Sequence, residues 1–111
     1  SCTWIETDRA SVLVDAGMFQ GSVLAPRKNR MPLPFDGRRL DAVVLTHAHL
    51  DHAGRLPLLA RRGLDAPVVA TRATLEMAAV LLADAARIQE GDLERRNRRR
   101  ARRGEAAEEA L

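Results

Sequence analysis

Three histidines and an aspartate crowd into six consecutive residues here: His47, His49, Asp51 and His52 account for every histidine in the 111-residue chain. They follow directly on the apolar run Ala42-Val43-Val44-Leu45. An isolated histidine at such a place would read as a structural side chain on a surface or in a core. A cluster at this spacing behind a strand reads as a metal motif. Neutral imidazole nitrogen and carboxylate oxygen are the donors that borderline metals such as zinc accept.

The spacing carries the argument further. His47 and His49 are two apart, so in extended chain leaving a strand they project to the same side and grip one ion. Asp51 and His52 are adjacent, which suits a turn or helix start, where their side chains diverge toward a second ion. Two ions about 3.5–4 Å apart clamp the attacking and leaving oxygens of an in-line displacement. Ala53 and Gly54 are small enough to let the chain pass close to such a site.

The segment Thr46-His47-Ala48-His49-Leu50-Asp51-His52 resembles the HxHxDH motif of the metallo-β-lactamase superfamily of hydrolases. Longer stretches carry the likeness further: Ser1-Cys2-Thr3, the run from Leu13 through Asp15-Ala16-Gly17 to Gly21, the run from His52 to Leu59, and that from Asp84 to Glu90. Together they resemble the β-CASP branch, RNA-processing nucleases related to the cleavage and polyadenylation endonuclease. The likeness runs to about Asn97. It implies an αββα sandwich, two zinc ions, and single-stranded RNA cut internally or degraded from the 5′ end. It also implies that His47 and His49 hold one zinc, that Asp51 and His52 hold the second, and that Asp51 accepts the proton of the attacking water as the catalytic base. Asp15, by the same likeness, steadies the histidine motif through hydrogen bonds.

Local patterning gives an α/β reading, a β-hairpin followed by β-loop-α-β-α. Residues 2–7 and 10–15 are strand-like runs separated by Asp8-Arg9. The stretch from Phe19 to Gly37 holds Pro26, Pro32 and Pro34 without periodicity and reads as a loop. Leu40 to Leu45 reads as a strand buried on both faces, and 51–63 as one helix with Leu56 and Leu59 inward, Pro57 in its first turns and Gly63 at its stop. A strand at 66–71 follows, then a helix capped by Thr71 or Thr74, with an apolar face of Leu75, Ala78, Ala79, Leu82, Ala86 and Ile88 or Gln89. Parallel strands are expected from that order.

Charge divides the chain near Asn97. Residues 1–86 hold ten basic and nine acidic side chains, a net of +1, whereas seven of the nine residues from Arg95 to Arg103 are arginine. We therefore expect residues 1–97 to be the N-terminal part of a metallo-β-lactamase-like domain, and 98–111 to be an Arg-rich and then Glu/Ala-rich helix end or disordered tail. Arg95, Arg96, Arg98, Arg99 and Arg100 are candidate contacts to an RNA backbone, salt-sensitive and blind to sequence because no aromatic side chain is interleaved for stacking.

The opening on Ser1 and the length lead us to expect a piece of a longer protein. Three histidines leave each of two metals half served, since catalytic zinc takes three protein ligands, so weak metal binding, no turnover by this chain alone and association through bare sheet edges are expected, homo-oligomers included. The single Cys2 excludes an internal disulfide, and no stretch offers the roughly 20 apolar residues of a membrane span, so a cytoplasmic protein is expected. Two other readings stay open: a metallo-β-lactamase-fold hydrolase of a small ester or thioester, and a non-catalytic RNA-binding paralogue.

Overall fold

The computed structural model describes residues 1–32 and 36–108. Four strands form one mixed sheet in the order β1 (Thr3–Glu6), β2 (Ser11–Val14), β3 (Ala42–Val44) and β4 (Val68–Val69). The hairpin pairs β1 with β2 antiparallel, Trp4 opposite Leu13, and both crossovers place their strands parallel, β2 beside β3 and β3 beside β4. The α/β layer expected from the sequence is therefore present, as part of a domain.

Strand register sorts the side chains onto two faces. Trp4, Leu13, Val43 and Val68 share one face, and there Leu13 and Val43 are fully buried against Ala16, Leu40 and Leu59. The opposite face carries Ile5, Val12, Val14, Val44 and Val69, of which Ile5 and Val69 are exposed and the rest half-buried. The expectation that β3 is buried on both faces thus fails on one of them. A continuous apolar run records what a strand is able to bury, not how much of it is covered in a given chain.

Three helical expectations also change. The stretch predicted as loop contains α1 (Ala25–Arg30), and a single 3₁₀ turn spans Gly37–Arg39; Pro34 and Phe35 lie outside the described residues. Pro26 sits in the first turn of α1, where its missing N–H costs nothing, and Met31, forced extended by Pro32, ends it. Buried Asn29 ties α1 down, accepting from Phe19 N at 2.6 Å and donating to Phe19 O at 3.0 Å.

The helix predicted over 51–63 is two pieces, α2 (Leu50–Ala53) and α3 (Leu56–Arg61). Arg55 N donates to Ala16 O at 2.8 Å instead of continuing the helical ladder, and Pro57 has no N–H to bridge the break. Leu59 still faces the core and Arg61 still faces outward.

The last helix, α4 (Arg72–Arg102), is capped by Thr71, whose hydroxyl accepts from Thr74 N at 3.2 Å. At about 1.5 Å per residue it is ~46 Å long, in a molecule whose longest extent is 53 Å. Such a helix outruns the small body it starts from. It packs against α2 and buries only Ala78, leaving Leu75, Met77, Val80 and Ile88 exposed, so the predicted apolar face is present as a pattern and largely open. No helix among the described residues is long and apolar enough to cross a membrane.

Candidate metal centre

The histidine motif hangs from the carboxyl ends of the two central strands, β2 and β3, the edge at which open α/β sheets place their ligands. Two segments leave that edge side by side, residues 15–18 after β2 and 45–49 after β3. Backbone hydrogen bonds stitch the first to the motif: Asp15 N to Val44 O at 2.8 Å, Ala16 N to His52 O at 2.7 Å and Met18 N to Leu50 O at 2.9 Å. Gly17 is required by this closeness, because a Cβ on it would stand 1.7 Å from the carbonyl oxygen of Asp51. Gly54 is close-packed too, a Cβ there meeting Leu50 O at 2.5 Å and Met18 Cγ at 2.8 Å.

Asp15 is the pivot of this bed. Its backbone adopts φ +63°, left-handed territory that a non-glycine residue enters at a cost of about 1–3 kcal/mol unless its surroundings hold it. Here they hold it firmly. The carboxylate, nearly fully buried, accepts from Thr46 N at 2.9 Å and Thr46 Oγ1 at 2.8 Å, and it meets His52 Nδ1 at 2.8 Å. Burial pushes the Asp15 pKa up, but the hydrogen bonds from His52 and Thr46 outweigh it and leave the carboxyl below its ordinary value. An ionised Asp15 selects the His52 tautomer with its proton on Nδ1, which leaves Nε2 bare and acceptor-ready.

Ligand-capable atoms of His47, Asp51 and His52 all lie within 4.8 Å of one another. The His47 and His52 rings are 3.8 Å apart between centroids, and His52 Nε2 is 3.5 Å from Asp51 Oδ2. His49 stands beside this trio, its ring edge-on to His47 with centroids 4.9 Å apart. His47 is thus gathered with Asp51 and His52, and His49 lies at the side of the group. Two imidazoles and a carboxylate fit the donor chemistry of zinc.

Thr46 is the member of this site that carried no assignment from the sequence. Besides its two bonds to Asp15, its hydroxyl lies 3.0 Å from His47 Nδ1, so one side chain touches both the bed and a candidate ligand. Its signal was a hydroxyl directly before the first histidine.

The arginine run lies far along α4. Arg95 pairs with Asp92, Arg96 with Glu108 at 3.3 Å, and Arg100 with Glu105 at 3.7 Å and Glu108 at 3.5 Å. Arg98 and Arg99 have no carboxylate partner among the described residues.

Residues 1–106 match the metallo-β-lactamase superfamily. The chain belongs to that superfamily. Among its relatives, a ribonuclease of Thermus thermophilus is 52% identical over 79 residues, covering 71% of this chain and 18% of the relative. A probable RNase of Methanocaldococcus jannaschii is 37% identical over 91 residues, 81% of this chain and 20% of the relative. The transcription termination factor FttA of Cenarchaeum symbiosum is 40% identical over 92 residues, 79% of this chain and 14% of the factor. These are relatives of the β-CASP kind that the flanking segments resemble, and this metallo-β-lactamase chain spans about a fifth of their length or less.

Proposed function

We propose that this chain is the metal-binding portion of a zinc-dependent ribonuclease that hydrolyses phosphodiester bonds of single-stranded RNA. The observation that carries the reading is the convergence of His47, Asp51 and His52 on one point above the sheet edge. The names of the ribonuclease relatives supply the substrate class, and favour it over a small ester or thioester.

Zinc bound there would act as a Lewis acid, lowering the pKa of water and offsetting charge that develops on the phosphoryl oxygens. Every other task falls to side chains of the chain. His47 and His52 present Nε2, their Nδ1 atoms being turned toward Thr46 and Asp15. Asp15 keeps His52 oriented and in one tautomer. Asp51, exposed on the open side of the trio, serves as proton acceptor at its carboxylate. His49 would add one imidazole toward a second ion. The arginines of α4 attract the phosphate backbone at a distance from the chemistry.

Three histidines cannot supply three protein ligands to each of two metals, so we propose that residues 1–111 alone bind zinc weakly and do not turn over. The test is zinc retained per chain after dialysis against a weak chelator, with His49→Ala and Asp51→Ala alongside, followed by RNA incubation. Weak retention that falls further in Asp51→Ala supports the reading. Metal at background in all three removes the trio as a site. RNA cleavage by the chain itself, lost in Asp51→Ala, overturns the claim of inactivity while strengthening the claim of function.

A further inference from the structure

Gly104, at φ +74°, ends α4 with a chain reversal: Gly104 N donates to Ala101 O at 3.1 Å and Glu105 N to Arg100 O at 2.8 Å. The following residues run back along the helix they have just left. Asn97 receives them with a reciprocal pair of hydrogen bonds, Oδ1 accepting from Glu108 N at 2.7 Å and Nδ2 donating to Glu108 O at 3.2 Å. Arg100 Nε donates to Ala106 O at 2.5 Å. The carboxylate of Glu108 bridges Arg96 and Arg100, and that of Glu105 also faces Arg100.

This fold-back sorts the arginines into two sets. Arg96 and Arg100, one turn apart on one side of α4, already hold acidic side chains. Arg95, Arg98, Arg99 and Arg102 follow the i, i+3, i+4, i+7 spacing of a single stripe. Within it, among the described residues, only Arg95 is paired, with Asp92 on its own helix.

We propose that Glu105 and Glu108 act as an intramolecular competitor for RNA, occupying Arg96 and Arg100 until a phosphate backbone held first by Arg98, Arg99 and Arg102 reaches around the helix to those two arginines and takes the place of the carboxylates. Charge complementarity fixes the occupant, because the stripe is cationic, without aromatic side chains and straight, which suits a single strand bound through its phosphates. The tail is suited to displacement. Its ion pairs are half-exposed and screened by salt, each one weak, and beyond them the segment is held by Asn97, by Arg100 Nε on Ala106 O and by the Gly104 reversal. The competition rests on the reading of RNA as substrate but not on the metal centre, so the two fail separately.

The test is fluorescence anisotropy of a labelled oligouridylate of about twelve nucleotides on the full chain, with a chelator present so that hydrolysis plays no part. The variant Glu105→Gln/Glu108→Gln should bind about three- to tenfold tighter near 50 mM salt, an advantage that shrinks near 200 mM. Its plot of log affinity against log salt should steepen by up to about 1.4, about 0.7 for each of two freed arginines. Asn97→Ala, which releases the tail with every charge kept, should move affinity the same way. Glu6→Gln/Asp65→Asn makes the same change in net charge away from the fold-back and should leave affinity within about twofold. Equal gains in the tail and control variants overturn the proposal, as does no gain in the tail variant. Absence of RNA binding in all of them overturns it too, while zinc retention at the trio would leave the metal reading standing.

Discussion

The two ends of this molecule handle charged groups in opposite ways. At the sheet edge Asp15 is buried, strained in its backbone and gripped by three hydrogen bonds, and the loop that carries it is tied to α2 through the main chain. At the far end of α4 more charges gather, yet they lie on the surface of one helix and pair with the segment that folds back after Gly104. The contrast separates a site that must hold its geometry from a surface that need only hold its charge. Cost of replacement should follow the same division.

The largest effect should come from Gly17→Ala. The added Cβ has backbone as its obstacle, so we expect a loss of about 4 kcal/mol or more in urea unfolding, or no folded protein at all. Leu13→Ala, which empties a fully buried position of the central strand, should cost about 2–5 kcal/mol by the same measurement. Asp15→Ala should cost about 1–3 kcal/mol, the added backbone strain and the abandoned donors of Thr46 and His52 acting together. It should also lower zinc retention, since His52 loses its orienting partner. Gly104→Ala, at a left-handed position on the exposed tail, should cost about 1 kcal/mol and loosen the fold-back, seen as faster amide exchange at Glu108. Arg98→Ala should change stability by less than about 0.5 kcal/mol. A surface arginine that proved as costly as Asp15 would break the comparison.

Much of the sheet-edge region was readable in advance, because its requirements are local. Strand-like runs at 2–7 and 10–15, a strand ending at Leu45 and a donor-rich loop behind it appear in the sequence as patterns of neighbouring residues. The nearness of His47 to Asp51 and His52 was not readable, because spacing alone treats each pair separately. The split between α2 and α3 escaped for a related reason: the carbonyl of Ala16, far away in sequence, claims the N–H of Arg55. For α1 the prolines misled. They read as loop signals, yet Pro26 fits a first helical turn and Pro32 follows the last. On α4, periodicity described an apolar face correctly as a pattern and said nothing about whether anything lies over it.

The left-handed backbone at Asp15 has a thermodynamic consequence for the metal. A coil has no reason to keep that residue in so sparsely populated a conformation, so unfolding takes Asp15 away from His52 and leaves His47, Asp51 and His52 without a common orientation. Metal affinity and folding are then two readings of one equilibrium. If zinc is held as proposed, each tenfold rise in free zinc above its dissociation constant should add about 1.4 kcal/mol to stability, and a chelator should remove that increment.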